Sequence, residues 1–273
     1  MVAKGWASSN LSGVGDVFTT LHSGLAVELI STPASSLATC TQDELIRDVL
    51  ERNRPGYDFI PVANENARFI GMFNAFSQRD RSTQGTIRGC FLPLSEEYLI
   101  GADASILDFI LDADQRPCRL VISGAKIVGL VSLSDLQRLP VRATLFALIT
   151  GFEITMAEFI KKRHPSESGW LEVLAARRQQ KIKDEMSDAR ADDGFVESLL
   201  FTQFFDKTTI VARQFPENQR KSLEAKLRRI EHLRNHVAHA NDYAATPSLA
   251  KNVCEVVREL LEIRGELQNL SLA

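Results

Sequence analysis

The sequence predicts two regions of different fold class, an α/β region over residues 25–139 and an all-α region over residues 140–273. In the first region a pattern of one helix, two strands and a further helix occurs twice, with a spacing of roughly 70 residues. The strand pattern ends after Pro140, and apolar residues then recur at helical spacing. A chain of 273 residues is long enough for two domains, each with its own core.

The composition is that of a soluble globular protein, with 44% hydrophobic and 25% charged residues. The first 24 residues contain no apolar run of signal-peptide length, and no stretch approaches a membrane span of uninterrupted apolar residues. The four cysteines are scattered, without a C-x-x-C pair, which argues against a disulfide scaffold. We therefore expect a cytoplasmic protein without a membrane segment.

Residues 1–24 are rich in Gly and Ser and are interpreted as a loose arm with a short helix near Asp16–His22. In the next segment, Thr41 followed by Glu44 predicts a helix N-terminus with Thr41 at the cap. The elements predicted for the two repeats are a helix over Leu45–Asn53 with strands over Tyr57–Val62 and Arg68–Phe73, then a helix over Ser105–Leu111 with strands over Arg119–Ile122 and Ile127–Ser132 and a helix capped by Ser134 and Asp135.

The end of the second repeat carries a motif, Gly129-Leu-Val-Ser132-Leu-Ser-Asp135. With the repeat, it resembles a tandem pair of cystathionine-β-synthase (CBS) domains, a Bateman module, over residues 25–80 and 95–139. The resemblance implies an α/β fold in which Ser132 and Asp135 hold the phosphate and ribose of an adenine nucleotide. Arg138, one turn further on, is a candidate for neutralising the phosphate.

The first repeat departs from this motif, because Asn74 replaces the hydroxyl residue and Ser77 replaces the aspartate. We therefore expect at most one competent nucleotide site in each chain. The alternative is that the pair folds and dimerises without any ligand.

The second region has an apolar pattern that predicts a bundle of helices joined by short loops. The helices are predicted over Val141–Arg163, Trp170–Arg190, Gly194–Arg213, from Pro216 through the motif described below, and Pro247–Leu267. Glu153 lies on the apolar first helix and is a candidate auxiliary residue. A buried carboxylate needs a partner, for which an Arg of the motif helix is the expected choice; a half-exposed position is the alternative.

The motif helix contains Arg234-Asn235-His236-Val237-Ala238-His239. A guanidinium grips phosphate oxygens, and an imidazole exchanges a proton near neutral pH. The pattern Arg-Asn-x-x-x-His resembles the signature of HEPN domains, helical bundles of which many are dimeric, metal-independent RNA endonucleases. The resemblance covers residues 140–273.

The resemblance implies that His239 acts as general base or acid, that Arg234 stabilises the charged phosphorane, and that Asn235 orients the imidazole or binds phosphate. His236 is a candidate auxiliary residue. The expected reaction is cleavage of single-stranded RNA by a homodimer, leaving a 2′,3′-cyclic phosphate, without a catalytic cofactor or metal. Regulation by the nucleotide at the CBS pair would suit a role in stress response or defence.

The spacing on the helix sets a geometric requirement for such a site. On an ideal helix Arg234 and His239 are about 140° apart, so the long Arg side chain, a local distortion or a second subunit must complete it.

Three other interpretations remain open. His232, His236 and His239 would share a helix face and could bind a metal ion, or could simply be surface and core residues. A non-catalytic nucleotide sensor or protein-interaction module is the alternative function.

Overall fold

The computed structural model describes residues 24–79, 83–191 and 197–272. The helix expected near Asp16–His22 lies outside these ranges. Contacts divide the chain into one compact unit at Leu25–Pro140 and a second that contains Val141–Ala273. The first unit is α/β and the second is helical, as the sequence predicts.

The α/β unit contains two four-stranded sheets in its described part. The strands are β1 (Thr32–Pro33), β2 (Cys40–Thr41), β3 (Phe59–Ala63), β4 (Phe69–Asn74), β5 (Leu92–Pro93), β6 (Leu99–Gly101), β7 (Cys118–Ser123) and β8 (Lys126–Ser132). Its α-helices are α1 (Ile46–Arg52), α2 (Ala75–Gln78) and α3 (Ile106–Asp112). The sheet orders are β2-β3-β4-β5 and β1-β8-β7-β6.

The two sheets repeat one arrangement. In each, a short strand runs parallel to the first strand of an antiparallel hairpin: β2 pairs with β3 of the β3–β4 hairpin, and β6 pairs with β7 of the β7–β8 hairpin. Equivalent residues at the start of α1 and α3, Ile46 and Ile106, are 60 positions apart. The repeat is therefore shorter than the 70-residue spacing that the sequence suggested.

The segments that lead into the repeats are exchanged between the two sheets. Strand β1 precedes the first repeat but pairs with β8 of the second, while β5 precedes the second repeat and pairs with β4 of the first. The main-chain contacts mirror this exchange, since Ile106 N–H donates to the oxygen of Leu25 and Ile46 N–H donates to that of Gly85. Neither repeat is complete without the segment supplied by the other.

Two equivalent glycines allow the exchanged strands to approach. A Cβ atom at Gly71 would lie 2.1 Å from the carbonyl oxygen of Leu92, and one at Gly129 would lie 2.7 Å from that of Thr32. Both distances are too short for any side chain. The first residue of the Gly-x-x-Ser motif is thus required by the packing of strands.

Two predicted caps were wrong. Helix α1 begins at Ile46, and Thr41 lies in strand β2, where its N–H donates to Glu44 Oε1 at 2.6 Å. The turn after β8 is a 3₁₀ helix over Leu133–Gln137, and its cap is Ser132 rather than Ser134, because Ser132 and Asp135 form the capping box.

The helical unit contains α4 (Leu139–Arg163, which starts two residues before the unit), α5 (Glu167–Leu171), α6 (Ala176–Ala191), α7 (Phe204–Arg213), α8 (Glu217–Ala238) and α9 (Pro247–Leu272) in its described part. The helix predicted over Trp170–Arg190 is split into α5 and α6. The helix predicted over Gly194–Arg213 begins outside the described residues; from residue 197 the chain forms a 3₁₀ turn at Ser198–Phe201 followed by α7. The other three helices were predicted to within a few residues, except that α9 extends five residues further.

Helix α4 is long and apolar enough to span a membrane by length and composition, and it is the one such helix in the described residues. Of its most apolar 18-residue window, 56% is buried inside the protein. The core helix of a soluble protein has the same properties, so this helix is weak evidence for a membrane span.

Gly129→Ala should destabilise the α/β unit, because the new methyl group would meet the carbonyl oxygen of Thr32. Overpacking of this kind costs about 1–3 kcal/mol. The matched control is Gly265→Ala, which lies on α9 with open space around its Cβ position and should gain up to about 1 kcal/mol from helix propensity. Scanning calorimetry of both variants is the measurement; equal effects would contradict the assigned close approach.

Candidate functional site

The spacing of apolar residues on α8 explains where its polar motif lies. Its buried side chains form one stripe at Leu223, Leu227, Ile230, Leu233 and Val237. Asn235 and His232 are exposed on the other side, and Arg234 is half-buried at the edge of the stripe. The motif therefore occupies the last turns of the helix, where one face is open to solvent.

The helix ends inside the motif. Ala238 is the last helical residue and His239 is the C-cap, fully outside the buried stripe. The N–H of His239 donates to the carbonyl oxygen of Asn235 at 3.1 Å, which keeps these two exposed residues one turn apart. Arg234 Nη1 donates to Asn235 Oδ1 at 3.3 Å. The structure thus joins Arg234 to Asn235 through side chains, and Asn235 to His239 through the main chain.

The chain turns sharply after His239. Ala240 has φ +55°, the left-handed conformation that favours glycine at this position after a helix. The N–H of Asn241 donates to the carbonyl oxygen of His236 at 3.0 Å and closes the turn. A non-glycine residue in this conformation costs about 1–2 kcal/mol, so surrounding contacts must hold the turn.

Those contacts come from Arg142 on α4, a residue that the sequence analysis missed. Its Nη1 donates to the carbonyl oxygens of His236 at 3.2 Å and Val237 at 3.0 Å, and its Nη2 donates to that of Asn241 at 2.9 Å. The guanidinium also lies 4.9 Å from the centre of the Tyr243 ring. Burial raises the pKa of Tyr243 to about 12, while the positive charge of Arg142 opposes that rise.

His232 and His236 face each other on the side of α8. Their Nε2 atoms are 3.2 Å apart and their ring centres 4.3 Å apart. His236 Nδ1 is buried without a described hydrogen-bond partner. A proton on Nε2 of one ring can bond to the other, since a neutral imidazole has one donor and one acceptor nitrogen. His239 lies past the helix end, and the described residues contain no group of three metal-ligating side chains.

Glu153 has a different partner from the one expected. Its Oε1 accepts from Nζ of Lys207 on α7 at 3.0 Å, and Lys207 also donates to the carbonyl oxygen of Thr202 at 2.8 Å. The Lys207 side chain is only 7% exposed, whereas that of Glu153 is 25% exposed. The prediction that an Arg of the motif helix pairs with Glu153 was therefore wrong, and the pair links α4 to α7.

The residues predicted to bind nucleotide lie together at the end of β8. Asp135 is buried, and its Oδ2 accepts from the N–H of Ser132 at 2.7 Å and the hydroxyl of Ser132 at 3.0 Å. Arg138 Nε donates to Asp135 Oδ1 at 2.6 Å, and Arg138 Nη2 donates to the hydroxyl of Thr32 at 3.0 Å. Asp135 therefore already binds groups of its own chain through both oxygens.

The equivalent turn of the first repeat is built differently. Asn74 Oδ1 accepts from the N–H of Ser77 at 2.9 Å and caps α2, and the Ser77 hydroxyl donates to the carbonyl oxygen of Asn74 at 3.1 Å. The amide of Asn74 thus serves as the cap, and the turn lacks the buried carboxylate that Asp135 supplies in the second repeat.

Solved structures of CBS domains are similar to the N-terminal half of this chain. The CBS domain of a bacterial CNNM/CorC family Mg²⁺ transporter in complex with ATP is 17% identical, with a TM-score of 0.38, and the match covers 48% of this chain and 95% of that chain. The CBS domains of a transcriptional regulator from Streptococcus pneumoniae are 19% identical, with a TM-score of 0.36, and the match covers 41% of this chain and 97% of that chain. CBSX2 in complex with AMP is 18% identical, with a TM-score of 0.36, and the match covers 45% of this chain and 97% of that chain. No family model matches the sequence, and no curated protein matches it.

Ala240→Gly should stabilise the helical unit, because glycine adopts a φ of +55° without the steric cost that alanine carries. After the greater entropy of glycine in the unfolded chain is subtracted, a gain of about 0.5–1 kcal/mol is expected. The matched control is Ala225→Gly in the exposed middle of α8, which should lose about 1 kcal/mol. Chemical denaturation measures both, and a loss at Ala240 would show that the turn does not have this geometry.

Proposed function

We propose that this protein is a metal-independent endoribonuclease regulated by an adenine nucleotide. The observation that carries the proposal is the end of α8, where Asn235 and His239 are exposed one turn apart and Asn235 is bonded to Arg234. A fixed positive group, an amide and an imidazole at one solvent-facing helix end suit the binding and cleavage of a phosphodiester. The substrate would be single-stranded RNA, whose exposed backbone can enter such a site.

In the proposed reaction, the ribose 2′-hydroxyl attacks the adjacent phosphorus and the bond to the 5′-oxygen breaks. His239 would take the proton from the 2′-hydroxyl or give one to the leaving 5′-oxygen. Arg234 would stabilise the negative charge on the phosphorane, and its bond to Asn235 would orient both side chains toward one phosphate. The products are a 2′,3′-cyclic phosphate and a 5′-hydroxyl, and no metal ion takes part.

A homodimer would bring two such segments to one cleft and supply the Arg that a single helix holds away from its histidine. Exposed apolar side chains of the helical unit support self-association, namely Phe146 on α4, Leu200 before α7 and Phe205 on α7, each more than half exposed. Single exposed apolar residues are common, but large aromatic ones favour interfaces. A stress-response or defence role, in a cytoplasmic setting, is the biological expectation.

The regulatory ligand would bind the Leu25–Pro140 unit, as a CBS pair, at Ser132, Asp135 and Arg138. The exchange of segments between its two repeats and the Gly129–Asp135 motif support a CBS pair, and similar CBS domains have been solved with ATP and AMP. Since Asp135 already accepts from Ser132 and Arg138, a ribose would use its remaining lone pairs or displace Arg138 toward the phosphate.

RNA cleavage in EDTA tests the enzymatic part. Wild-type protein should cut labelled single-stranded RNA in EDTA and leave cyclic phosphate ends, and His239→Ala should lower the rate by about 10²- to 10⁴-fold through loss of acid–base catalysis. The matched control is His232→Ala, an exposed histidine on the same helix, which should keep full activity.

Three outcomes would contradict the proposed mechanism or the nuclease assignment itself. Undiminished cutting by His239→Ala would remove His239 from the reaction. If wild type cuts only with added zinc and His232→Ala is inactive, a metal site at the histidine pair would replace the proposed mechanism. Absence of cleavage by wild type would favour a non-catalytic sensor or interaction module.

Nucleotide binding is tested by thermal shift. ATP or AMP at 100 times its dissociation constant should stabilise the folded protein by about 2.7 kcal/mol and raise its melting temperature. Asp135→Asn and Ser132→Ala should reduce this ligand-induced shift, measured against each variant's own ligand-free melting temperature because both residues also form the cap. Ser77→Ala, at the matching turn of the first repeat, should keep the shift. Loss of the shift in Ser77→Ala alone would place the ligand in the first repeat.

A further inference from the structure

The turn that carries His239 is held from outside its own helix. The last carbonyl groups of any α-helix have no partner within the helix. At the end of α8, Asn241 N–H reaches only the carbonyl of His236. Arg142 donates to the carbonyls of His236 and Val237, just before His239, and to that of Asn241, just after it. The guanidinium thus bridges the chain on both sides of the imidazole-bearing residue.

The local sequence does not hold this turn by itself. Ala240 occupies a left-handed conformation that costs about 1–2 kcal/mol for a residue with a side chain. His239 itself is exposed, so little packing restrains it. Beyond the main-chain bond from Asn241 to His236, the restraint comes from the three hydrogen bonds of Arg142 and from the packing of its guanidinium on the Tyr243 ring. The positive charge of Arg142 also interacts favourably with the negative end of the helix dipole at the C-terminus of α8.

From these contacts we infer that Arg142 is a positioning residue for His239. This inference rests on the proposed function, since the position of His239 matters to catalysis only if His239 acts on RNA. Arg142 does not touch the substrate in this role; its three donors fix the turn from His236 to Asn241, and the turn fixes the imidazole. Without Arg142 the turn would open while the buried stripe of α8 stays in place, so the fold and RNA binding would persist.

The chain supplies a matched control on the same helix. Arg163, at the other end of α4, donates through Nη2 to the carbonyl oxygen of Leu270 at 3.1 Å, in the last turn of α9. Its guanidinium lies 5.7 Å from the centre of the Phe159 ring. Like Arg142, Arg163 therefore bonds a carbonyl group at a helix end and packs on an aromatic ring. The helix whose end it contacts carries no part of the motif.

The experiment compares Arg142→Ala, Arg142→Lys and Arg163→Ala in steady-state cleavage of single-stranded RNA. A misplaced catalytic group costs up to about 10²-fold in rate, so Arg142→Ala should lose about 10- to 100-fold in kcat with KM within about twofold. Arg142→Lys keeps the positive charge but not the planar guanidinium with its several donors, so its kcat should lie between those of wild type and Arg142→Ala. Arg163→Ala should keep wild-type kcat. Millimolar guanidinium should restore part of the activity of Arg142→Ala and leave Arg163→Ala unchanged.

A second measurement does not depend on cleavage. In protein labelled with ¹³C at histidine Cε1, the His239 signal should shift or broaden in Arg142→Ala and stay unchanged in Arg163→Ala. Unchanged kcat, or equal losses in Arg142→Ala and Arg163→Ala, would overturn the inference. If wild type does not cut RNA, the proposed function fails, and the His239 signal alone decides whether Arg142 positions this residue. If Arg142→Ala does not fold, Arg142→Lys carries the same comparison.

Discussion

The helical unit depends on polar contacts made by one apolar helix. Helix α4 buries side chains on most of its length, including Leu145, Phe152 and Phe159. Such burial is favourable but has little directional preference, because many packings bury similar area. Polar residues of α4 add direction, and three of them form hydrogen bonds to other helices. Arg142 bonds the end of α8, Glu153 bonds Lys207 on α7, and Arg163 bonds the end of α9.

These contacts differ in how much stability the protein would lose if each were removed. Lys207 is buried, so removal of Glu153 would leave a charge without its ion-pair partner, a loss of about 3–5 kcal/mol for a buried pair and less here because Glu153 is 25% exposed. The contacts of Arg142 are with neutral carbonyls at a partly exposed helix end, where net hydrogen-bond contributions are smaller. The Glu153–Lys207 pair therefore stabilises the unit, while Arg142 mainly defines the conformation of one turn.

The sequence predicted the elements that local patterns determine. The repeated hairpins were found because alternation and turn residues are local, and α4, α8 and α9 were found from periodicity and flanking Pro residues. The cap at Thr41 was wrong since the same Thr-x-x-Glu pattern also fits a strand end in which Glu44 accepts from the main chain. The split between α5 and α6 was missed because Trp170 and Leu171 continue a plausible helical stripe although the chain turns after them.

Contacts between distant parts of the chain could not be read from the sequence. The exchange of β1 and β5 between sheets includes the pairing of Thr32 with Leu130, which are 98 positions apart. Only the glycines at 71 and 129 give a local trace of the exchange. The candidate sites show the same division. Ser132, Asp135, Asn235 and His239 were found as motifs, and the structure places them at the ends of helical elements. Arg142 lies about 100 positions from the carbonyls it binds, and no spacing rule connects them.

Both candidate sites contain a residue of a helix cap and lie beside an Arg side chain that hydrogen-bonds to that residue or to its turn. At the end of β8, Arg138 bonds the Asp135 of the capping box and reaches Thr32 on an exchanged strand. At the end of α8, Arg142 bonds the turn around the C-cap His239. His239 is exposed to solvent because the helix ends there, whereas the side chain of Asp135 is buried. Hydrogen bonds fix the backbone around both residues. An alanine substitution at Asp135 therefore removes a structural contact together with any ligand contact, whereas one at His239 removes a side chain for which no structural hydrogen bond is described. Loss of activity at His239 would consequently report on chemistry more directly than loss of binding at Asp135 reports on the ligand.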